Sequence, residues 1–168
     1  MPKTDDNESM STVYLYYTFH YEKAKELSLI KKCAHDYTGI SAIEPNIIVN
    51  EYGKPDFDSC MHFNLSHSKD LWVCALYYEE IGVDTEFIRN KDYSRVARSV
   101  FEETPDSNAE FFRKWCQKEA YLKYIGKGLS ALHKQIDEDL YYQYADIDEN
   151  YVVCICTKEK ADLKIIEI

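Results

Sequence analysis

At 168 residues, 45% hydrophobic and 30% charged, the chain is long enough for a buried core and fits one domain or two small lobes sharing that core. A formal net charge of −10 argues against nonspecific nucleic-acid binding and against an anionic membrane surface as partners. Six cysteines without a Cys-x-x-Cys pair read as free thiols of a reducing compartment, and with no signal peptide or apolar span legible, a cytoplasmic location is expected.

Residues 1–11 are polar and aperiodic, and are expected to form a disordered lead-in. The aromatic run Val13–Tyr17 predicts a strand with room to extend to Phe19, and a helix follows from about Tyr21 to His35 with Ala24, Leu27, Ile30 and Ala34 on one side. Gly39 and Pro45 mark loops, Asn46–Asn50 a short strand, and Tyr52–Asp56 a turn. Strands are expected at His62–Leu65 and Leu71–Tyr77, with Ser66–Asp70 as the loop between them, and at Ile81–Ile88 after Glu79-Glu80. Such short connections predict an antiparallel meander. Helices are predicted over Asp92–Val100 and, after Pro105, over Asn108–Ile125, where Phe111, Trp115, Leu122 and Ile125 form one stripe that Gly126 ends. Strands at Leu140–Tyr144, Tyr151–Cys156 and Leu163–Ile168 complete the chain. The class is α+β, and two strand–helix–strand groups dividing near residue 80 are compatible with similar lobes at 12–80 and 81–168.

The chemistry centres on the strand at 81–88. Asp84 and Glu86 share one face, with Cα atoms roughly 6.5–7 Å apart, and repel each other unless a cation lies between them. An all-oxygen, doubly negative site suits Mg²⁺, with Mn²⁺ as an alternative. On spacing alone, the polar outer face of an edge strand accounts for the pair better. Glu119 lies beside the apolar stripe of the long helix, where an unpaired carboxylate is costly; an i,i+4 pair with Lys123 suits the same spacing. His67, between two serines in the expected loop, is either solvated or, as Ser66-His67-Ser68 acting together with Lys54, binds a phosphate. The Gly126-Lys127-Gly128 run is a helix end and turn, or a place where backbone approaches a ligand closely. Gly-x-Ser-x-Gly, P-loop and Gly-x-Gly-x-x-Gly patterns are absent, and the histidines lack zinc-ligand spacing.

Taken in order, Gly53-Lys54-Pro55, Phe63-Asn64-Leu65-Ser66-His67-Ser68, Gly82-Val83-Asp84-Thr85-Glu86 and the stretch from Trp115 through Lys118-Glu119 and Lys123 to Gly126-Lys127-Gly128-Leu129 resemble the 4'-phosphopantetheinyl transferases. The likeness is to the pseudo-dimeric type that activates surfactin synthetase. It implies two similar α+β lobes with antiparallel sheets packed on helices, an active site in the cleft between them, and a monomeric chain. It also implies transfer of the 4'-phosphopantetheine arm of coenzyme A to a serine of an apo acyl or peptidyl carrier protein, releasing adenosine 3',5'-bisphosphate. By that resemblance Asp84, Glu86 and Glu119 hold Mg²⁺, Lys123, Ser66 and His67 contact CoA phosphates, and Gly53, Lys54 and Pro55 line the nucleotide pocket. Glu119 is the first choice for the base that takes the serine proton, followed by Glu86 or a metal-bound water, with Lys123 completing the catalytic set. Three departures stand out: the N-terminal lobe is short, Thr85 occupies a commonly aliphatic position, and the usual basic CoA-binding helix residue has no clear match, leaving Lys23, Lys25, Lys31 or Lys32 as substitutes. The short lobe motivates the alternative of an inactive CoA- or carrier-binding module. A third reading, a single-lobe trimer like the synthases dedicated to fatty-acid carrier proteins, keeps the chemistry and changes the assembly.

Overall fold

The computed structural model describes residues 12–40 and 44–168, so the expected lead-in lies outside the described residues. Strand β1 (Thr12–Thr18) is followed by a 3-10 turn at Lys23–Lys25 and by α1 (Glu26–Thr38), which ends on Gly39 at φ +67°. The packed side of α1 is not the one the periodicity suggests. Ile30, Cys33 and Ala34 are buried, whereas Ala24 is exposed and Leu27 is 54% exposed. Glu26, four residues before Ile30, takes the inner position of the first turn, accepting from Tyr21 Oη at 2.6 Å and Lys23 Nζ at 2.5 Å.

Strands β2 (Ile47–Val49) and β3 (Pro55–Phe57) form a hairpin, so Pro55 and Asp56 belong to a strand and the turn shrinks to the residues around Gly53, at φ +88°. Strand β4 (His62–Ser68) likewise runs through the expected loop. Ser66, His67 and Ser68 pair with Val73, Trp72 and Leu71 of β5 (Leu71–Tyr77), and only Lys69-Asp70 turns. Polar side chains at alternate positions disguised this strand as a loop.

The expected meander stops after β5. Strand β6 (Gly82–Phe87) opens a second sheet with β7 (Tyr141–Tyr144) and β8 (Tyr151–Thr157), in the order β6-β8-β7, all antiparallel. The first sheet has the order β4-β5-β1-β9, because β9 (Asp162–Glu167) crosses back to pair in parallel with β1. Helix α2 (Ser94–Phe101) precedes α3 (Asn108–Tyr124), which starts on a reciprocal cap: Ser107 Oγ accepts from the Glu110 amide and Glu110 accepts from the Asp106 amide.

Alternation along the strands builds the layers. Leu15, Val73, Val83 and Ile155 meet in a core shared by the two sheets. The opposite face of the first sheet, through Tyr16, Trp72 and Leu76, packs on Ile30 and Ala34 of α1. The opposite face of the second sheet, through Cys154 and Cys156, packs on Cys116 and Ala120 of α3. The order is thus α1, first sheet, second sheet, α3. The cysteines are free thiols, and all except Cys60 are buried.

Candidate active site

Where the sheets meet, two edge strands face each other without a backbone ladder. Their backbone and side chains are bridged by β4 side chains at alternate positions. Asn64 Oδ1 accepts from the Val83 amide at 2.8 Å, Ser66 Oγ donates to Asp84 Oδ1 at 2.9 Å, and Ser68 Oγ accepts from the Phe87 amide at 3.0 Å. Ser68 Oγ also donates to Glu86 Oε2 at 3.2 Å. Ser68, expected beside His67 and Ser66 at a phosphate, instead joins the two strands, and Asn64 does the same; the period-two polar pattern 64, 66, 68 is the sequence signal for it.

Helix α3 lies against β6 closely enough that only glycine fits at Gly82. A Cβ there would stand 2.0 Å from the Ala120 carbonyl and 2.5 Å from the Tyr124 amide, both backbone atoms that cannot swing aside. Two residues along β6, Asp84 therefore comes beneath α3, where Lys123 Nζ reaches its Oδ1 at 2.7 Å. Asp84 is only 4% exposed, and among the described residues its Oδ2 has no hydrogen-bond partner. A buried carboxylate oxygen left unpaired is costly.

Asp84, Glu86 and Glu119 line one groove of about 480 Å³ together with Ser66, His67 and Lys123, walled by Leu65, Trp115 and Leu129. Burial raises the Glu119 carboxyl above its ordinary range, and the charges of Asp84 and Glu86 raise it further against the opposing pull of Lys123 and Lys118. Burial, then Asp84, raises Glu86, against Ser68, Arg89 and Trp115. The three carboxylates thus face one another with less positive charge than they need. This donor set fits a hard divalent cation: oxygen-only, over-negative, and with a buried oxygen still unpaired.

The remaining expected residues divide. His67 is on the groove, exposed, with its ring stacked on Tyr21 at 4.9 Å. Gly53, Lys54 and Pro55 line an adjoining hollow of about 200 Å³ that shares Leu65 and Lys123 with the groove. The Lys54 ammonium turns inward: its side chain is 10% exposed, pairs with Glu80, and donates to the carbonyls of Ile81 at 3.2 Å and Tyr124 at 3.4 Å. Asn50 Nδ2 reinforces that attachment, donating to the Gly126 carbonyl at 2.9 Å, so the β2–β3 turn caps the end of α3. Among the candidate substitutes on the first helix, Lys23, Lys25 and Lys31 pair with Glu26, Glu22 and Glu44.

Sequence reading also missed a second cluster. Among the described residues, one trio has ligand atoms all within 4.8 Å of one another, and it is Asp56, His62 and Glu80. The groove carboxylates stand further apart than that.

Residues 80–152 match the family model described as the 4'-phosphopantetheinyl transferase superfamily. A 4'-phosphopantetheinyl transferase of Bacillus subtilis is 30% identical over 157 residues, covering 76% of this chain and 70% of that protein. The 4'-phosphopantetheinyl transferase gsp of Aneurinibacillus migulanus is 41% identical over 90 residues, covering 48% of this chain and 38% of its own length. For the 4'-phosphopantetheinyl transferase HetI of a Nostoc strain the figures are 35% over 116 residues, 57% and 49%. The chain thus spans about half the length, or less, of two of these relatives.

Proposed function

The chain belongs to the 4'-phosphopantetheinyl transferase superfamily, and from that premise we propose that it moves the phosphopantetheine arm of coenzyme A onto a serine of an apo carrier protein. The carrier serine oxygen bonds to the phosphorus that bears the pantetheine arm. The bond from that phosphorus to its bridging oxygen breaks, and adenosine 3',5'-bisphosphate leaves. The observation that carries the reading is the buried Asp84, with one oxygen unpaired, on the same groove as Glu86 and Glu119.

In this reading Asp84, Glu86 and Glu119 hold Mg²⁺ or Mn²⁺, which when bound supplies positive charge to the pyrophosphate oxygens. Glu119 takes the serine proton. It lies on the groove beside Asp84 and Glu86, and Glu86 is the second candidate. Lys123 and His67 meet the phosphates, while Gly53, Pro55 and the Lys54 backbone shape the nucleotide hollow. The inward Lys54 ammonium favours a supporting role for that side chain. Two α+β lobes, divided near residue 80 and acting as a monomeric pseudo-dimer with the site between them, fit two edge strands joined through side chains. The β9 strand then ties the second lobe back to the first. Among the described residues no helix is long and apolar enough to cross a membrane, and the proposed reaction is one of the cytoplasm.

Incubation with CoA, Mg²⁺ and a panel of apo carrier proteins, read as carrier mass, tests this. Gain of the phosphopantetheine mass on a carrier serine is expected. No gain on any carrier, including those of the organism itself, would sink the proposal.

A further inference from the structure

Among the described residues, Lys123 is the one lysine placed directly on the Asp84 carboxylate, and it occupies an unusual position. Its ammonium is 2.7 Å from Oδ1 while the neighbouring Oδ2 stays buried without a partner. Two further carboxylates, Glu86 and Glu119, line the same groove. Lys118, the adjacent candidate for neutralising them, is engaged elsewhere, donating to the Lys134 carbonyl. Lys123 thus stands in for charge that the trio lacks, and supplies only part of it. Its side chain is 27% exposed and lies on the wall between the groove and the adjoining hollow, so a change of rotamer can carry the ammonium away from Asp84 without disturbing α3. A lysine is suited to this, being a compact point charge on a flexible stem.

A cation bound to Asp84 would sit about 2.0–2.5 Å from a carboxylate oxygen. An ammonium on the same carboxylate would then be a like charge only a few ångströms away, in a poorly screened place. With the ammonium on Oδ1 and the cation on the unpartnered Oδ2 of one carboxylate, the two charges repel each other. We infer that Lys123 is a provisional counter-charge on Asp84: it holds that carboxylate until a divalent cation arrives at it, and is then released to the phosphates of CoA. This rests on the metal reading of Asp84, Glu86 and Glu119. Metal binding alone has to displace the ammonium and is therefore weak. Phosphate binding alone competes with Asp84 for the same ammonium. Bound together, each ligand removes an obstacle for the other, and their affinities are coupled reciprocally.

The test needs no turnover. Mn²⁺ binding is measured by the loss of the free-ion electron paramagnetic resonance signal, in the absence of carrier and CoA, for the unaltered protein, Lys123→Gln, Lys127→Gln and Asp84→Asn. Lys127 is an exposed lysine four residues further on, so its replacement removes the same charge from the end of α3. Lys123→Gln is expected to bind Mn²⁺ about five- to thirtyfold more tightly than the unaltered protein, a typical size for coupling between sites. Lys127→Gln should change affinity by less than about twofold, as expected for an exposed, screened charge. In calorimetric titrations with CoA, Mn²⁺ should tighten binding to the unaltered protein severalfold more than to Lys123→Gln. If Asp84→Asn weakens Mn²⁺ binding but Lys123→Gln binds no more tightly than Lys127→Gln, the exchange is overturned and the metal reading survives. If Asp84→Asn leaves Mn²⁺ affinity unchanged, both fall.

Discussion

Among the described residues, two trios of side chains with the chemistry to hold a metal differ in how their charge is met. At Asp56, His62 and Glu80 the ligand atoms are close together and every group is answered. Asp56 Oδ2 is 2.6 Å from His62 Nδ1, its Oδ1 accepts from the Phe57 and Phe63 amides, and Glu80 is paired with the inward Lys54. At Asp84, Glu86 and Glu119 the groups are spread around an open groove, one buried oxygen lacks a partner among the described residues, and two of the carboxyls are raised. Compactness alone would select the first trio. Unmet charge selects the second, because a fold tolerates electrostatic frustration where a ligand relieves it.

The sharpest way to break the contrast is Asp84→Asn. It keeps a side chain of the same shape that can still accept from Lys123 and Ser66, and removes the charge. Transfer activity should fall by about 10²–10³-fold or more, the scale of losing a key electrostatic group, while the thermal midpoint in the absence of metal stays level or rises. A fall in midpoint with activity intact would reverse the roles assigned to the two trios. Lys54→Met addresses the other trio. It leaves two carbonyls and Glu80 without their donor, and should lower unfolding free energy by about 1–3 kcal/mol in denaturant titrations. Since the ammonium faces inward, residual transfer per folded molecule should change far less than in Asp84→Asn.

A smaller effect concerns pH. Glu86 and Glu119 are raised in the folded protein, so the folded state holds their protons more tightly than the unfolded chain does. Their contribution to stability is full below the ordinary glutamate value of 4.5 and is lost as pH rises through the raised folded values. Metal-free protein should therefore lose stability from these groups as pH climbs above about 4.5. Saturating Mg²⁺ should flatten that slope, measured by denaturant melts across pH with and without the ion. A slope indifferent to Mg²⁺ would place the frustrated charge elsewhere.

Much of the scaffold was legible. The apolar runs at β1 and β5, the stripe of α3 and its end at Gly126 are strong local periodicities, and local periodicity is what a sequence displays. What it hid was set by contacts between distant segments. The second half of strand β4 concealed itself because Ser66 and Ser68, polar residues expected in a loop, join Asn64 in linking two sheet edges. Strand β6 looked like the third member of a meander because nothing in its own residues says which sheet receives it. Leu27 misled because Glu26, held by Tyr21 and Lys23, takes the inner position. The Asp56, His62 and Glu80 trio has no motif, since its members meet only through the approach of β3 to β4 and the bend after β5. At the groove, the ordered motifs did identify the residues that come together. They did not reveal that Lys54 points inward or that Lys123 rests on Asp84.

The parallel pairing of β1 with β9 has a further consequence, for the order in which the molecule is made. Thr12 is aligned with Asp162, and Tyr17 with Glu167, so one edge of the first sheet stays open until almost all of the chain between them has left the ribosome. Contacts of such wide sequence separation form slowly and late. The early segment must wait with an unpaired strand edge that invites association with other chains. Biosynthesis of this protein is therefore expected to be most vulnerable to aggregation before β9 emerges and closes the open edge of the first sheet.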